Sequence, residues 1–165
     1  MSQTERLDLF STPILKARLP GHQAVNDALR QAITVERGQN PSGIDRSNIG
    51  GWHSDIDMLR WGGPAAGQLA QFALSTASPH LADMHAGGKR DFSFGANMWA
   101  NINPVGASNA LHCHPGATWS GVYYVDDGGA SEEGPAANWC SKIRATRWRI
   151  WAFRIWFLKT PQAKP

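Results

Sequence analysis

The stretch WANINPVGASNALHCHPGATWSGVYYV, running from Trp99 to Val125, decides how this chain is read. In an extended segment, residues two apart share a face. Trp99, Asn101 and Asn103 therefore fall on one side, and the upstream apolar series Phe92, Phe94, Ala96 and Met98 falls on the other. By the same parity His112 and His114 project together from a predicted strand while Cys113 faces away. Two imidazoles on one side of a strand can share a metal ion. Imidazole suits Fe, Zn, Cu and Ni alike, so the pair alone does not name the metal. Pro115 and Gly116 are expected to end the strand where an open coordination position would face solvent or substrate. Asn101, Asn103 and Asn109 put amides into what otherwise reads as a buried sheet. Buried amides need partners, which predicts a polar cavity and not a dry core. Trp119–Val125 has the aromatic and β-branched enrichment of a further strand, and Asp126-Asp127-Gly128-Gly129 ends it.

Upstream, the periodicity changes from two to that of a helix. Val25, Leu29, Ala32 and Ile33 recur at helical spacing and predict an amphipathic helix from His22 to about Arg37. A second helix is predicted from Pro64, a favourable first-turn residue, through Leu69, Phe72 and Ala73 to about Leu81. Residues 38–54, with Pro41, Gly43, Gly50 and Gly51, carry the signals of a loop. Residues 5–19 form a short extended stretch in which Pro13 forbids a central helix and suggests an edge strand. Two helices against an antiparallel sheet give an α+β fold whose functional half is the sheet.

At 165 residues the chain suits one domain with a real core, and its charged fraction of 18% excludes a disordered linker. No run approaches the roughly 18 apolar residues of a membrane span. Glu5, Arg6 and Asp8 stand where a signal peptide would need apolar residues. Cys113 and Cys140 form no CxxC pair, which fits a reducing compartment. The expected location is the cytoplasm.

The net charge of +3 conceals a division. Residues 1–133 hold nine Lys/Arg and all 13 acidic residues, whereas residues 134–165 hold seven Lys/Arg and no acid. Every glycine lies at or before Gly134, and Trp139, Trp148, Trp151 and Trp156 crowd the basic end. The chain is accordingly divided into residues 1–133 and an atypical Trp/Arg-rich tail, 134–165. Arginine neutralises phosphate and tryptophan stacks on bases or sits at lipid interfaces, so one use of such a tail is nucleic-acid or membrane-surface binding. Its Arg residues do not segregate to one face, which leaves an ordinary packed segment or a displaced reading frame as the alternatives.

The pattern W-x-N-x-N-x-x-G-x-x-N-x-x-H-x-H-P-x-x-x-W-S-G-V-Y-Y-V, as it stands from Trp99 to Val125, resembles a small bacterial branch of the 2-oxoglutarate- and Fe(II)-dependent oxygenase superfamily. Phe10-Ser11-Thr12-Pro13-Ile14 and Gly50-Gly51-Trp52-His53-Ser54 fit the same branch, and the resemblance covers roughly residues 8–128. It implies a double-stranded β-helix (jelly roll) with flanking N-terminal helices. It also implies Fe(II) as cofactor, 2-oxoglutarate as cosubstrate, and oxidation of a substrate C–H bond by O₂ with release of succinate. On this pattern His112 is the first metal ligand, and His114 stands where the superfamily more often has a carboxylate. Tyr124, by parity with Ser120 and Val122, is the tyrosine expected to face the barrel and meet the cosubstrate, together with Asn101, Asn103 and Asn109. Trp52 and His53 would line the substrate side, although His53 equally suits a structural loop contact. A distal histidine and a 2-oxoglutarate-binding arginine should follow on later strands. No histidine follows His114, and the resemblance stops near Asp127, where the composition also changes. One frame displacement would account for both. The jelly roll is thus expected to be incomplete at its C-terminal end, with Val122 and Tyr124 short of cover, an incomplete iron site and little or no turnover.

Two other functions stay open at this level. A cupin-like metal protein would explain Gly106 followed by His112 and His114, but Thr118 and Trp119 occupy the places of the cupin glutamate. A non-catalytic module would use the basic tail as its binding element. The expected partner is a small-molecule or peptide substrate; nucleic acid is not expected.

Overall fold

The computed structural model describes residues 14–80, 93–126, 149–152 and 158–160. Helix α1 spans His22–Gln39 and follows a turn at Pro20-Gly21, with Gly21 at φ 65°. A left-handed φ costs glycine little, so the chain can enter the helix sharply there. The predicted stripe is the one that packs: Val25, Leu29 and Ile33 are buried, while Ala32 is only partly covered. A four-residue turn of helix, α2 (Met58–Trp61), leads into α3 (Gly63–Ala77), which has Pro64 in its first turn. Ala65, Ala66, Leu69, Ala70 and Ala77 are the buried side of α3, which packs against α1.

Among the described residues eight short strands make up three antiparallel sheets. They are β1 (Asn48–Ile49), β2 (Trp52–His53), β3 (Ser93–Gly95), β4 (Ala100–Asn103), β5 (Ser108–Asn109), β6 (Tyr123–Tyr124), β7 (Arg149–Ala152) and β8 (Leu158–Thr160). The central sheet has the order β2-β4-β7-β6; β1 pairs with β5, and β3 with β8. In the central sheet Trp52 lies opposite Ile102, and His53 opposite Asn101. Further along, Ala152 lies between Ala100 and Tyr123, and Trp151 between Asn101 and Tyr124. Residues directly opposite share a face. Trp52, Ile102, Ala100 and Tyr123 thus belong to the row that joins Leu29, Ile33, Met58, Leu69 and Met98 in the core. The Tyr123 hydroxyl donates to Asn26 Oδ1 at 2.6 Å, which ties β6 to α1.

The α+β composition agrees with expectation, and the differences lie in the strands. The segment 5–19 forms no regular element over 14–19, and its remainder lies outside the described residues. The predicted loop 38–54 contains the last two residues of α1 and both β1 and β2. The second helix ends at Ala77, followed by a 3₁₀ turn at Ser78–His80; Leu81 lies outside the described residues. The predicted strand through His112 and His114 is irregular chain. Of Trp119–Val125 only Tyr123–Tyr124 is paired. Parity had suggested a strand at 111–114, but a strand needs a neighbour to take its backbone groups, and among the described residues none runs beside it. Among those residues, too, no second four-stranded sheet faces the central one. Residues 149–152, from the atypical tail, are inserted between β4 and β6.

Candidate functional site

The row of the central sheet opposite the core holds His53 directly beside Asn101, with Tyr124 in register on the far side of β7 and Asn103 two residues along β4. Trp99 shares their parity and is buried. The His53 ring, 4% exposed, stacks on the Trp99 indole at 5.6 Å and an interplanar angle of 17°. Trp99 also meets His114 at a tilt of 50°, with ring centroids 6.0 Å apart. His114 in turn meets His112 edge-on at 4.7 Å. An aromatic series His53–Trp99–His114–His112 thus joins the central sheet to the histidine loop. His112 and His114 come together without a strand: a turn at Pro115-Gly116, with Gly116 at φ 80°, closes the segment.

His112 is exposed, but its ring orientation is defined. Its Nδ1 lies 2.7 Å from the carbonyl oxygen of Ala110. A carbonyl can only accept, so Nδ1 carries the proton and Nε2 is the unprotonated nitrogen of the neutral ring. Metal-binding histidines have this arrangement, in which the other ring N–H is held by a backbone carbonyl. Buried His53 has the same tautomer, with Nδ1 2.5 Å from the Ser54 carbonyl oxygen. Among the described residues no group of three or more His, Cys, Asp or Glu is placed to hold a metal. His112 and His114 bring two imidazoles together, one short of the three protein ligands of a usual catalytic metal centre.

The asparagines divide. Asn103, 3% exposed, donates from Nδ2 to Asn109 Oδ1 at 3.0 Å, and Asn109 Nδ2 donates to Ser47 Oγ at 3.1 Å. Asn101 reaches neither; its buried Oδ1 has no hydrogen-bond partner, and the same holds for Asn103 Oδ1. Asn103 Oδ1 is pressed against Gly51, where an added Cβ would come within 2.0 Å of it. Buried amide oxygens without donors are uncommon, which sets Asn101 and Asn103 apart from the other polar groups of the sheet. Tyr124 and Val122, expected to lack cover, are 43% and 39% exposed.

Trp52 is separated from this group. It lies in the core, and its Nε1 donates to the Asn40 carbonyl at 2.8 Å. Consecutive strand residues face opposite ways, so Trp52 and His53 serve different surfaces. His80 is exposed and meets Trp119 edge-on at 6.4 Å; His85 lies outside the described residues. Sequence reading missed Ser47 and the bridging part of Trp99. The parity of Trp99 with Asn101 was a usable signal for the second; nothing local marks Ser47, whose partner is 62 positions away.

A cleft of about 530 Å³ opens elsewhere, beside the end of α1 and α2. Glu36, Asp55 and Asp57 line it against the single guanidinium of Arg60. The carboxylates are already engaged, Asp57 by Trp61 Nε1 and Arg60, Glu36 by Asn40 and Asp55 by the Ile56 N–H. Its net negative lining repels a dicarboxylate, so this cleft is a poor candidate for 2-oxoglutarate. No helix among the described residues is long and apolar enough to cross a membrane.

No curated protein and no solved structure matches this chain. Residues 97–150, about a third of the chain, match the family model described as "Putative 2OG-Fe(II) oxygenase". The match takes in β4, β5, the histidine loop, β6 and the first half of β7, and over that segment the chain is similar to the 2OG-Fe(II) oxygenase family.

Proposed function

We propose that this chain is a 2-oxoglutarate- and Fe(II)-dependent oxygenase of the hydroxylase type, from a small bacterial branch and acting in the cytoplasm. Its jelly roll would be built on the β2-β4-β7-β6 sheet and left short at its C-terminal end. The family match over residues 97–150 supports the class. The observation that carries the site is the His112–His114 pair, with rings 4.7 Å apart and His112 Nδ1 committed to a carbonyl. In this reading His112 binds the metal through Nε2, and His114 is the second imidazole. Iron, when bound, supplies O₂ activation coupled to decarboxylation of 2-oxoglutarate to succinate.

The chain's own groups would bind and orient. Asn101 offers a buried amide to the cosubstrate, and rotation of that amide presents Nδ2 to a carboxylate. Tyr124 offers a hydroxyl in the same row of the sheet. The Asn103–Asn109 pair holds the wall beside them, and the stacked His53–Trp99 rings exclude water from the floor. No histidine follows His114 and the expected 2-oxoglutarate-binding arginine is not placed, so in this reading the iron site is incomplete and turnover is little or none.

The test is Fe(II)-dependent conversion of 2-oxoglutarate to succinate by the purified protein, with His112→Ala as control. Succinate formed by the parent and lost in the variant supports the reading. A protein that neither binds Fe(II) nor consumes 2-oxoglutarate overturns it.

A further inference from the structure

We infer that Ser47 and Asn109 form a positioning clamp that fixes the ring orientation and tautomer of His112. Residues 111–114 have no strand partner among the described residues, so the sheet does not orient the imidazole. The peptide just before them is held instead. Asn109 Nδ2 donates to Ser47 Oγ at 3.1 Å, and the Ala110 N–H donates to the Ser47 carbonyl at 2.7 Å. The pairing of Asn48 with Asn109 and Ile49 with Ser108 lies directly beside these bonds. Asn109 Oδ1 also accepts from Asn103 Nδ2, and Asn103 is anchored in β4 with its Oδ1 against Gly51. The carbonyl that receives His112 Nδ1–H is that of Ala110, the residue whose own N–H is tied to Ser47.

The functional weight of this clamp rests on the reading of His112 as a metal ligand. A carbonyl fixed in space holds the proton on Nδ1 and turns the Nε2 lone pair in one direction. If residues 109–110 are released, the ring can rotate and the tautomers mix, so the lone pair is correctly placed only part of the time. In this assignment Ser47 and Asn109 act through His112 and not as ligands of the metal.

The experiment has two readouts on the whole chain. The first, on metal-free protein, is the imidazole nitrogen NMR signature of His112. Parent protein should show the Nδ1–H form, and Ser47→Ala and Asn109→Ala should show a mixture with Nε2–H. Ser47→Thr, which keeps the hydroxyl, should restore the parent pattern. The second is Co(II) affinity, expected to weaken by about 10- to 100-fold in the alanine variants and to recover in Ser47→Thr. Ser47→Ala removes the Oγ–Asn109 bond and keeps both the Asn103–Asn109 bond and the Ser47 carbonyl–Ala110 bond, so it tests the side-chain part of the clamp even if Asn109→Ala folds poorly. A His112 that stays Nδ1–H in folded Ser47→Ala overturns the inference. If the tautomer shifts but the parent binds no Co(II), the clamp stands and the iron reading falls.

Discussion

The two faces of the β2-β4-β7-β6 sheet are built on opposite principles. The side toward the helices is closed: Trp52, Ala100 and Ile102 are buried against α1 and α3, and the polar atoms there, Trp52 Nε1 and the Tyr123 hydroxyl, have partners. On the other side buried histidine, tryptophan and asparagine side chains are gathered, and the Oδ1 atoms of Asn101 and Asn103 lack donors. A fold tolerates unmet acceptors only where the surrounding packing compensates for them. The apolar side is thus where the stability of the fold resides, and the polar side is where it is drawn upon.

Deleting a core contact should show the largest effect. Leu29 and Ile33 are both 0% exposed. Leu29→Ala should lower unfolding free energy by about 2–5 kcal/mol in a urea titration. A loss well under 1 kcal/mol, by the same rule, would mean that α1 is not packed on the sheet. Next comes the point where the polar side is tightest. Gly51→Ala forces a Cβ against Asn103 Oδ1 and should cost about 1–3 kcal/mol in the same titration. Because Asn103 Nδ2 holds Asn109, this variant should also disturb the amide signals of residues 109–110 by NMR.

The smallest effect is at the link between β6 and α1. Tyr123→Phe removes the hydroxyl bond to Asn26 and should cost about 0.5–1.5 kcal/mol. Burial raises the Tyr123 pKa above its ordinary value of 10.0. The folded state therefore keeps the phenolic proton more tightly than the unfolded chain. The resulting stabilisation is fully present below pH 10.0 and is lost as pH rises through the higher folded value. Unfolding free energies measured across that range should fall more steeply for the parent than for Tyr123→Phe. Equal slopes would place Tyr123 outside the buried layer.

What was legible in the sequence were the features set by near neighbours. The spacing of Val25, Leu29 and Ile33 and the Pro64 start of α3 gave helices that the structure contains. The parity of Trp99, Asn101 and Asn103 separated the polar row from the apolar one. Features that depend on distant partners were not legible. The turn of helix at Met58–Trp61 is seated by a bridge from Asp57 to Met98, and no spacing within the turn announces it. The histidine segment alternates like a strand, yet its orientation comes from Ser47 and Ala110. Trp52 and His53 read as one substrate-side pair because both stand in the glycine-rich string that resembles the family, and their adjacency along a strand is what parts them.

That parting depends on the length of the bend before β2. Asn48 Nδ2 donates to the Gly51 carbonyl at 3.0 Å, closing residues 48–51 into a fixed count. An insertion of one residue there would exchange the places of indole and imidazole. The indole would be driven out among the asparagines, and a titratable ring would replace it beneath the helices. Loop redesign at this corner should therefore add or remove residues in even numbers, whatever side chains are chosen.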